Sequence, residues 1–525
     1  MHRIRFGALA ALALALLAGP PAAARAEDAR SEPGEASAPT LDERLKALEA
    51  AQAEARKAID ALRADLERSP AGAEKAALGE RLTALERLLA DLETQVAELR
   101  KSVPTSAPAP AAKAPGPVEA PGLTPLSAPL LGSSGSVTSG TAFNPSIAVI
   151  PDFTYSRDDR QGDGATILES ADGFEAPHGA GEEHAHGGLD EGFSLRETEI
   201  AFKGSVDPYF DVVALFAASE EGLSSEEVYV QTRRLPAGFQ VKAGKFLSGI
   251  GYQNSQHPHQ WDFVDAALPY QLLLGGALGE KGVQVTWLPR LPFYLQVGAE
   301  ALQGENERVA SYLGAESAGG EAVLSKKAGP RLFTGFVKLA PDVGYSDALQ
   351  VGLSYARSTL HQELHDEDGD GAVDVGLEGT VDLYGVDAVW KHDAPDEYGR
   401  GDLTLQAEYL YREKRLDVVE TAERLRSRQD GAYLQAVYGL LPRLQVAARW
   451  DVAGLTNDVD EGDLTESFGA SSRLTAALTF DPTEFSRLRV QWDRSDVKVG
   501  GGTERVDRLV AMVQVSLGAH GAHRF

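Results

Sequence analysis

From Phe143 to the end of the chain, apolar and polar positions alternate with a period of two. In Leu403 to Arg412 one face carries Leu403, Leu405, Ala407, Tyr409 and Tyr411, and the other mostly Thr404, Gln406, Glu408 and Arg412. Successive side chains of a strand point to opposite sides, so this spacing predicts a strand with one greasy and one wet face. Gln445 to Val452 and Leu488 to Asp493 repeat it, setting Val446, Ala448 and Trp450 against Arg449 and Asp451, and Leu488, Val490 and Trp492 against Arg489, Gln491 and Asp493. Those polar faces are too charged for the core of a sandwich. Tight turns at Val206-Asp207-Pro208-Tyr209, Leu235-Pro236-Ala237-Gly238, 288–292, Leu441-Pro442-Arg443 and Asp481-Pro482-Thr483-Glu484 alternate with long polar stretches near 157–191, 248–280, 305–330, 360–378, 417–429 and 456–466. Counting from Ser146 predicts about sixteen antiparallel strands. An even count, short turns at one end and long loops at the other predict an all-β transmembrane barrel over 143–525, apolar toward lipid and polar within. Sixteen strands imply an aqueous channel. The last strand leads to Phe525, a terminal aromatic expected to act as the membrane-insertion signal.

The N-terminal quarter follows another rhythm. Leu41, Leu45, Leu48, Gln52, Ala55, Ile59, Leu62 and Leu66 fall at alternating intervals of four and three. The seam resumes at Leu78, Leu82, Leu85, Leu89, Leu92, Val96, Leu99 and Val103, beyond Ser69-Pro70-Ala71-Gly72. This predicts an α-helical coiled coil over 41–103, broken near 69–77, whose apolar seam needs a neighbouring subunit or its own second helix. Residues 27–40 are expected as a short disordered segment, and 104–142, rich in proline, alanine and serine, as a disordered linker. A basic start, an apolar run from Phe6 to Ala18 and Ala24-Arg25-Ala26 predict a cleaved signal peptide over 1–26.

Composition narrows the field. The 525 residues include no cysteine, which excludes a disulfide scaffold, and 78 acidic against 50 basic side chains argue against a nucleic-acid partner. No G-x-S-x-G or H-E-x-x-H motif points to an enzyme. Following the polar faces assigns Glu197, Glu199, Arg233, Lys242, Glu408, Arg449, Arg473, Arg489 and Arg508 to the lumen, a wall of mixed sign. His178, Glu182, Glu183, His184 and His186 share one glycine-rich loop. Imidazole with carboxylate suits zinc, and a plain solvated loop is the alternative. Asp366, Asp368, Asp370 and Asp374 match the early positions of a calcium loop, but Leu377 holds its twelfth position and no helices flank it. Calcium in an outside loop or an ordinary acidic turn both fit. No cofactor is required, with zinc or calcium in the outer loops as the candidates. His257, His259, Trp261, Asp262 and Asp265 lie in the third outside loop, where they either line a constriction or stitch the loop to the barrel.

Phe143-Asn144-Pro145-Ser146-Ile147-Ala148-Val149, Val206-Asp207-Pro208-Tyr209, Lys242-Ala243-Gly244-Lys245-Phe246 and the run His257-Pro258-His259-Gln260-Trp261-Asp262-Phe263-Val264-Asp265 are similar to a group of porin-like proteins labelled zinc-regulated or TonB-dependent outer-membrane receptors. The arrangement also resembles phosphate-selective porins with an N-terminal coiled coil. A coiled coil and a linker stand here where a TonB-dependent receptor has its plug. The resemblance implies an outer-membrane porin for passive diffusion of small hydrophilic solutes or ions, divalent metal cations among them, and not an enzyme. It implies outer-membrane lipid as surroundings, a homotrimer joined through barrel and coiled coil, and a coiled coil in the periplasm. The alternative is a structural anchor that presents the coiled coil to peptidoglycan.

Overall fold

The alternating runs become strands in a computed structural model that describes residues 145–174, 189, 191–219, 222–314, 317–318, 322–365, 375–462 and 464–518. The expected signal peptide, coiled coil and linker lie outside the described residues. So do His178, Glu182, Glu183, His184, His186, Asp366, Asp368, Asp370, Asp374 and Phe525.

In chain order the barrel strands are β1 (Ser146–Asp158), β2 (Gly192–Ser205), β3 (Phe210–Ala218), β4 (Leu223–Thr232), β5 (Phe239–Leu247), β6 (Gly279–Trp287), β7 (Tyr294–Leu302) and β8 (Leu332–Ala340). They continue with β9 (Asp347–His365), β10 (Val375–His392), β11 (Leu403–Val418), β12 (Arg424–Leu441), β13 (Leu444–Glu461), β14 (Ser471–Thr483), β15 (Ser486–Val499) and β16 (Gly502–Val515). Each pairs antiparallel with the next, and β16 returns to β1, with Phe153 opposite Val513, to close a sixteen-stranded barrel. Closure leaves no open sheet edge in hydrocarbon, the condition any strand-built membrane span must meet. No helix among the described residues is long and apolar enough to cross a membrane.

The two faces sort as the alternation requires. Leu405, Tyr409, Leu474, Leu478, Leu488, Val490, Leu509 and Val513 are exposed on the outside, while Gln406, Glu408, Arg449, Asp451 and Gln491 are buried within. Aromatic rings gather at both heights where lipid gives way to water. Phe239 stacks on Trp287 at the turn end, and Tyr355, Tyr384 and Tyr411 form a row at the loop end with centroids 5.1 and 6.3 Å apart. Beyond that row the outer face becomes a ladder of ion pairs: Arg357 and Arg415 with Asp382 at 3.0 and 2.7 Å, and Arg428 with Asp460 at 3.0 Å. Here the expectation of long loops near 360–378, 417–429 and 456–466 is corrected. β9 to β13 run 16 to 19 residues, well past the ~9–11 a span needs, so most of those stretches are strand standing in water.

Long loops remain on the side of the shorter strands. The connection after β1 (L1) carries helix α1 (Gly164–Glu169), and the connection between β5 and β6 (L3) carries helix α2 (Leu268–Leu274). α2 starts with Pro269 in its first turn and stops at Gly275 in the left-handed conformation, whose N–H bonds back to the Gln271 carbonyl. Seven residues do not hold a helix unaided. Leu268, Leu272, Leu273 and Leu274 are buried inside the barrel, in one apolar cluster with Phe174 of L1 and the wall residues Phe246, Leu302, Leu332, Leu410 and Tyr433. The Arg412 guanidinium donates to the carbonyls of Leu273 at 3.2 Å and of Arg308, in the connection after β7 (L4), at 2.9 Å.

The inward side chains Asp152, Glu199, Leu215, Glu227, Lys242, Gln284, Glu300, Thr334, Ser358, Asp387, Glu408, Gln435, Asp451, Arg473, Gln491 and Arg508, one per strand, are all buried. The expected aqueous channel is thus filled at this level by loops folded into the cylinder.

Candidate functional site

The inner wall and L3 meet in three polar clusters. At the loop's base, the Glu408 carboxylate on β11 accepts from the backbone N–H groups of Tyr252 (2.9 Å) and Gln253 (2.8 Å) and from the hydroxyls of Tyr270 (2.7 Å) and Tyr433. Asn254 ties the two stems of L3 together by donating to the carbonyls of Ser248 (2.9 Å) and Leu278 (3.0 Å).

At the far end Asp265 sits among arginines. Its carboxylate accepts from Arg473 at 2.9 Å, Arg449 at 3.2 Å, Gln491 at 3.1 Å and Arg508 at 2.5 Å. Asp451 bridges Arg449 and Arg473, and Asp493 takes Arg508 at 2.8 Å, so the guanidiniums are themselves matched. Arg473 also donates to the Ala266 carbonyl at 2.7 Å. Burial would raise the Asp265 carboxyl, but Arg473, Arg508 and Arg449 hold it far below the usual carboxylate range. Such charge-assisted bonds fix a loop because losing one partner would leave buried charge short of a counter-ion.

The third cluster reverses the signs. L3 brings His257 and His259 against β2 and β4, where Glu199, Glu226 and Glu227 converge. The Glu227 carboxylate cannot donate, so His257 Nε2–H donates to it, at 2.8 Å. His257 Nδ1 then stands 3.2 Å from Glu226 Oε2 and 3.7 Å from Glu199 Oε2. His259 stacks on His257 with centroids 6.0 Å apart, and its Nδ1 lies 3.0 Å from Glu199 Oε2. Burial alone would depress the His257 imidazole; Glu226, Glu227 and Glu199 outweigh it and push it up to about 10.

Adjacent strand residues cannot normally face the same side. β4 manages it with a bulge: Leu215 of β3 pairs with Glu227 and Phe216 with Ser225, which leaves Glu226 as the extra residue. The bulge turns Glu226 toward His257 beside the inward Glu227. Sequence reasoning found Glu197, Glu199, His257 and His259 and missed Glu226 and Glu227, because strict alternation sends one of two neighbouring glutamates outward and no residue pattern announces a bulge.

The remaining expected residues fall as follows. Asp262 accepts from Gln435 at 2.9 Å, Trp261 packs on the apolar cluster, and its carbonyl takes Arg489 at 2.9 Å. Lys242 is buried over the Tyr229 ring at 4.5 Å. Arg233 departs from its lumen assignment: it follows β4 in the turn 233–238, exposed, and pairs with Asp211 at 3.3 Å. The arginines at 449, 473, 489 and 508 do face inward, and they hold L3 in place.

A protein of Aquifex aeolicus (strain VF5), itself uncharacterized, is 37% identical over 393 residues, covering 73% of this chain and 80% of that one. This chain belongs to the same family. No family model matches the sequence. Among solved structures, the barrel is similar to the outer membrane channel DcaP of Acinetobacter baumannii, at 12% identity, 71% and 96% coverage and a TM-score of 0.43. It is likewise similar to an anion-selective porin from Comamonas acidovorans, at 9%, 71% and 99% and 0.44. The barrel fold of this chain stands on its own strand pairing.

Proposed function

We propose that this protein is an outer-membrane channel for passive diffusion of small hydrophilic solutes, with L3 setting its bore. One observation carries the reading: a sixteen-stranded barrel, wide enough for an aqueous lumen, keeps a charged inner wall and closes it with a loop held by ion pairs. The acid-rich third cluster and the excess of 78 acidic over 50 basic residues support a weak preference for cations, divalent metals among them. In this reading three copies assemble in the membrane, and the N-terminal coiled coil stands in the periplasm.

The filled lumen favours a second reading, a barrel that anchors the coiled coil to the cell wall. Planar-bilayer recording separates the two. A channel conducts, keeps conducting without residues 27–142, and conducts more when L3 is unclamped. An anchor stays silent in all three cases. A reversal potential showing anion selectivity would overturn the cation preference alone.

A further inference from the structure

We infer that Glu199, Glu226 and His257 form a binding site for a divalent cation of the zinc type, inside the barrel where L3 meets β2 and β4. The inference does not depend on the channel reading. The three donor atoms lie within 4.8 Å of one another. For metal–ligand distances of ~2.0–2.1 Å the edge of a tetrahedral site is ~3.3–3.4 Å. The edges at His257 are 3.2 and 3.7 Å.

At the Glu199 and Glu226 oxygens the approach to the imidazoles falls outside hydrogen-bond geometry. Glu199 Oε2 and Glu226 Oε2 are both buried and neither accepts a hydrogen bond, although each faces an imidazole nitrogen. Glu199 is only 3% exposed, and its Oε2 lies 3.0 Å from His259 Nδ1 and 3.7 Å from His257 Nδ1 outside hydrogen-bond geometry with either, so a cation would complete it better than these contacts do. His257 is already oriented for that role. Its Nε2–H is committed to Glu227, the carboxylate–histidine pairing that fixes the ring of a metal ligand and turns the other nitrogen to the ion. One imidazole with two carboxylates selects a zinc-like ion over calcium or magnesium, which prefer oxygen alone. The β4 bulge is what brings the third donor into reach.

The test uses the full chain in detergent, freed of metal and titrated with zinc by equilibrium dialysis. Because the loop with His178, His184 and His186 offers zinc another place, the His178→Ala/His184→Ala/His186→Ala variant is the background throughout. That background is expected to take up one zinc per chain, to lose it in His257→Gln, and to bind at least tenfold more weakly in Glu227→Gln. No zinc uptake by the background, or an unchanged Kd in His257→Gln, overturns the site. If His257→Gln does not reach the folded, heat-modifiable band, zinc X-ray absorption on the background decides: a nitrogen or oxygen shell at ~2.0–2.2 Å with outer-shell scattering from an imidazole ring supports the site, and a shell without imidazole scattering overturns it. Conductance in zinc-free buffer reads the channel proposal separately.

Discussion

The two ends of the L3 tip, eight residues apart, are fastened by opposite electrostatics. At Asp265 one carboxylate meets three guanidiniums, and Asp451 and Asp493 balance the excess. At His257 one imidazole meets three carboxylates, and two carboxylate oxygens are left without a hydrogen bond. In the first arrangement three guanidiniums stand against three carboxylates, a balance of charge that suits a clamp. In the second, three carboxylates outnumber the two imidazoles of His257 and His259, which suits a site awaiting a cation. Burial is similar at both, so the difference lies in the balance of charged groups.

Substituting Asp265→Ala tests that contrast most severely, because it takes one of two carboxylate partners from each of three buried guanidiniums, at a cost of about 3–5 kcal/mol. With the strand ladder untouched, the barrel should keep its heat-modifiable band while protease cleavage within L3 accelerates at least ~100-fold. Unchanged cleavage would show that apolar packing of α2, not the arginines, holds the loop.

Acid should act on the same end, more gently. The folded Asp265 carboxyl lies below its ordinary value of ~3.9, so its contribution is complete above that pH and is lost as pH falls from there toward the folded value. Protection of L3 from protease is therefore expected to be flat from neutrality to about pH 4 and then to weaken by up to ~1.4 kcal/mol per pH unit. Asp265→Asn should show no such step; a step of equal size in that variant would assign the acid effect elsewhere.

Glu226→Gln is expected to change least. In zinc-free buffer it relieves crowding among like charges, so L3 protection should hold or improve, by less than ~1 kcal/mol. A large loss would make the glutamate end a clamp of the same kind as the arginine end.

The sequence makes most of the barrel legible. Alternation such as Leu488, Val490 and Trp492 against Arg489, Gln491 and Asp493 exists because one side of each strand meets hydrocarbon. Above the membrane that contrast ends. In Arg412-Glu413-Lys414-Arg415 both faces are charged, so the tall ends of β9 to β13 resemble loops although they are paired strand. His257 and Asp265 are recognisable as candidates by residue type, but their partners lie up to 243 positions away, and the Glu226 bulge depends on pairing with β3. Filling of the lumen is equally a property of assembly, since α2 is a short apolar run whose burial only the surrounding wall decides.

The uneven heights of the strands carry one more consequence. Residues face in or out by parity, so a hairpin such as β9–β10 can be lengthened or trimmed by two residues per arm without inverting a single side chain. A change of one per arm would turn the added portion inside out. The rim above the lipid is thus free to rise or sink by homologous steps while the circumference, fixed by strand number and tilt, keeps its size.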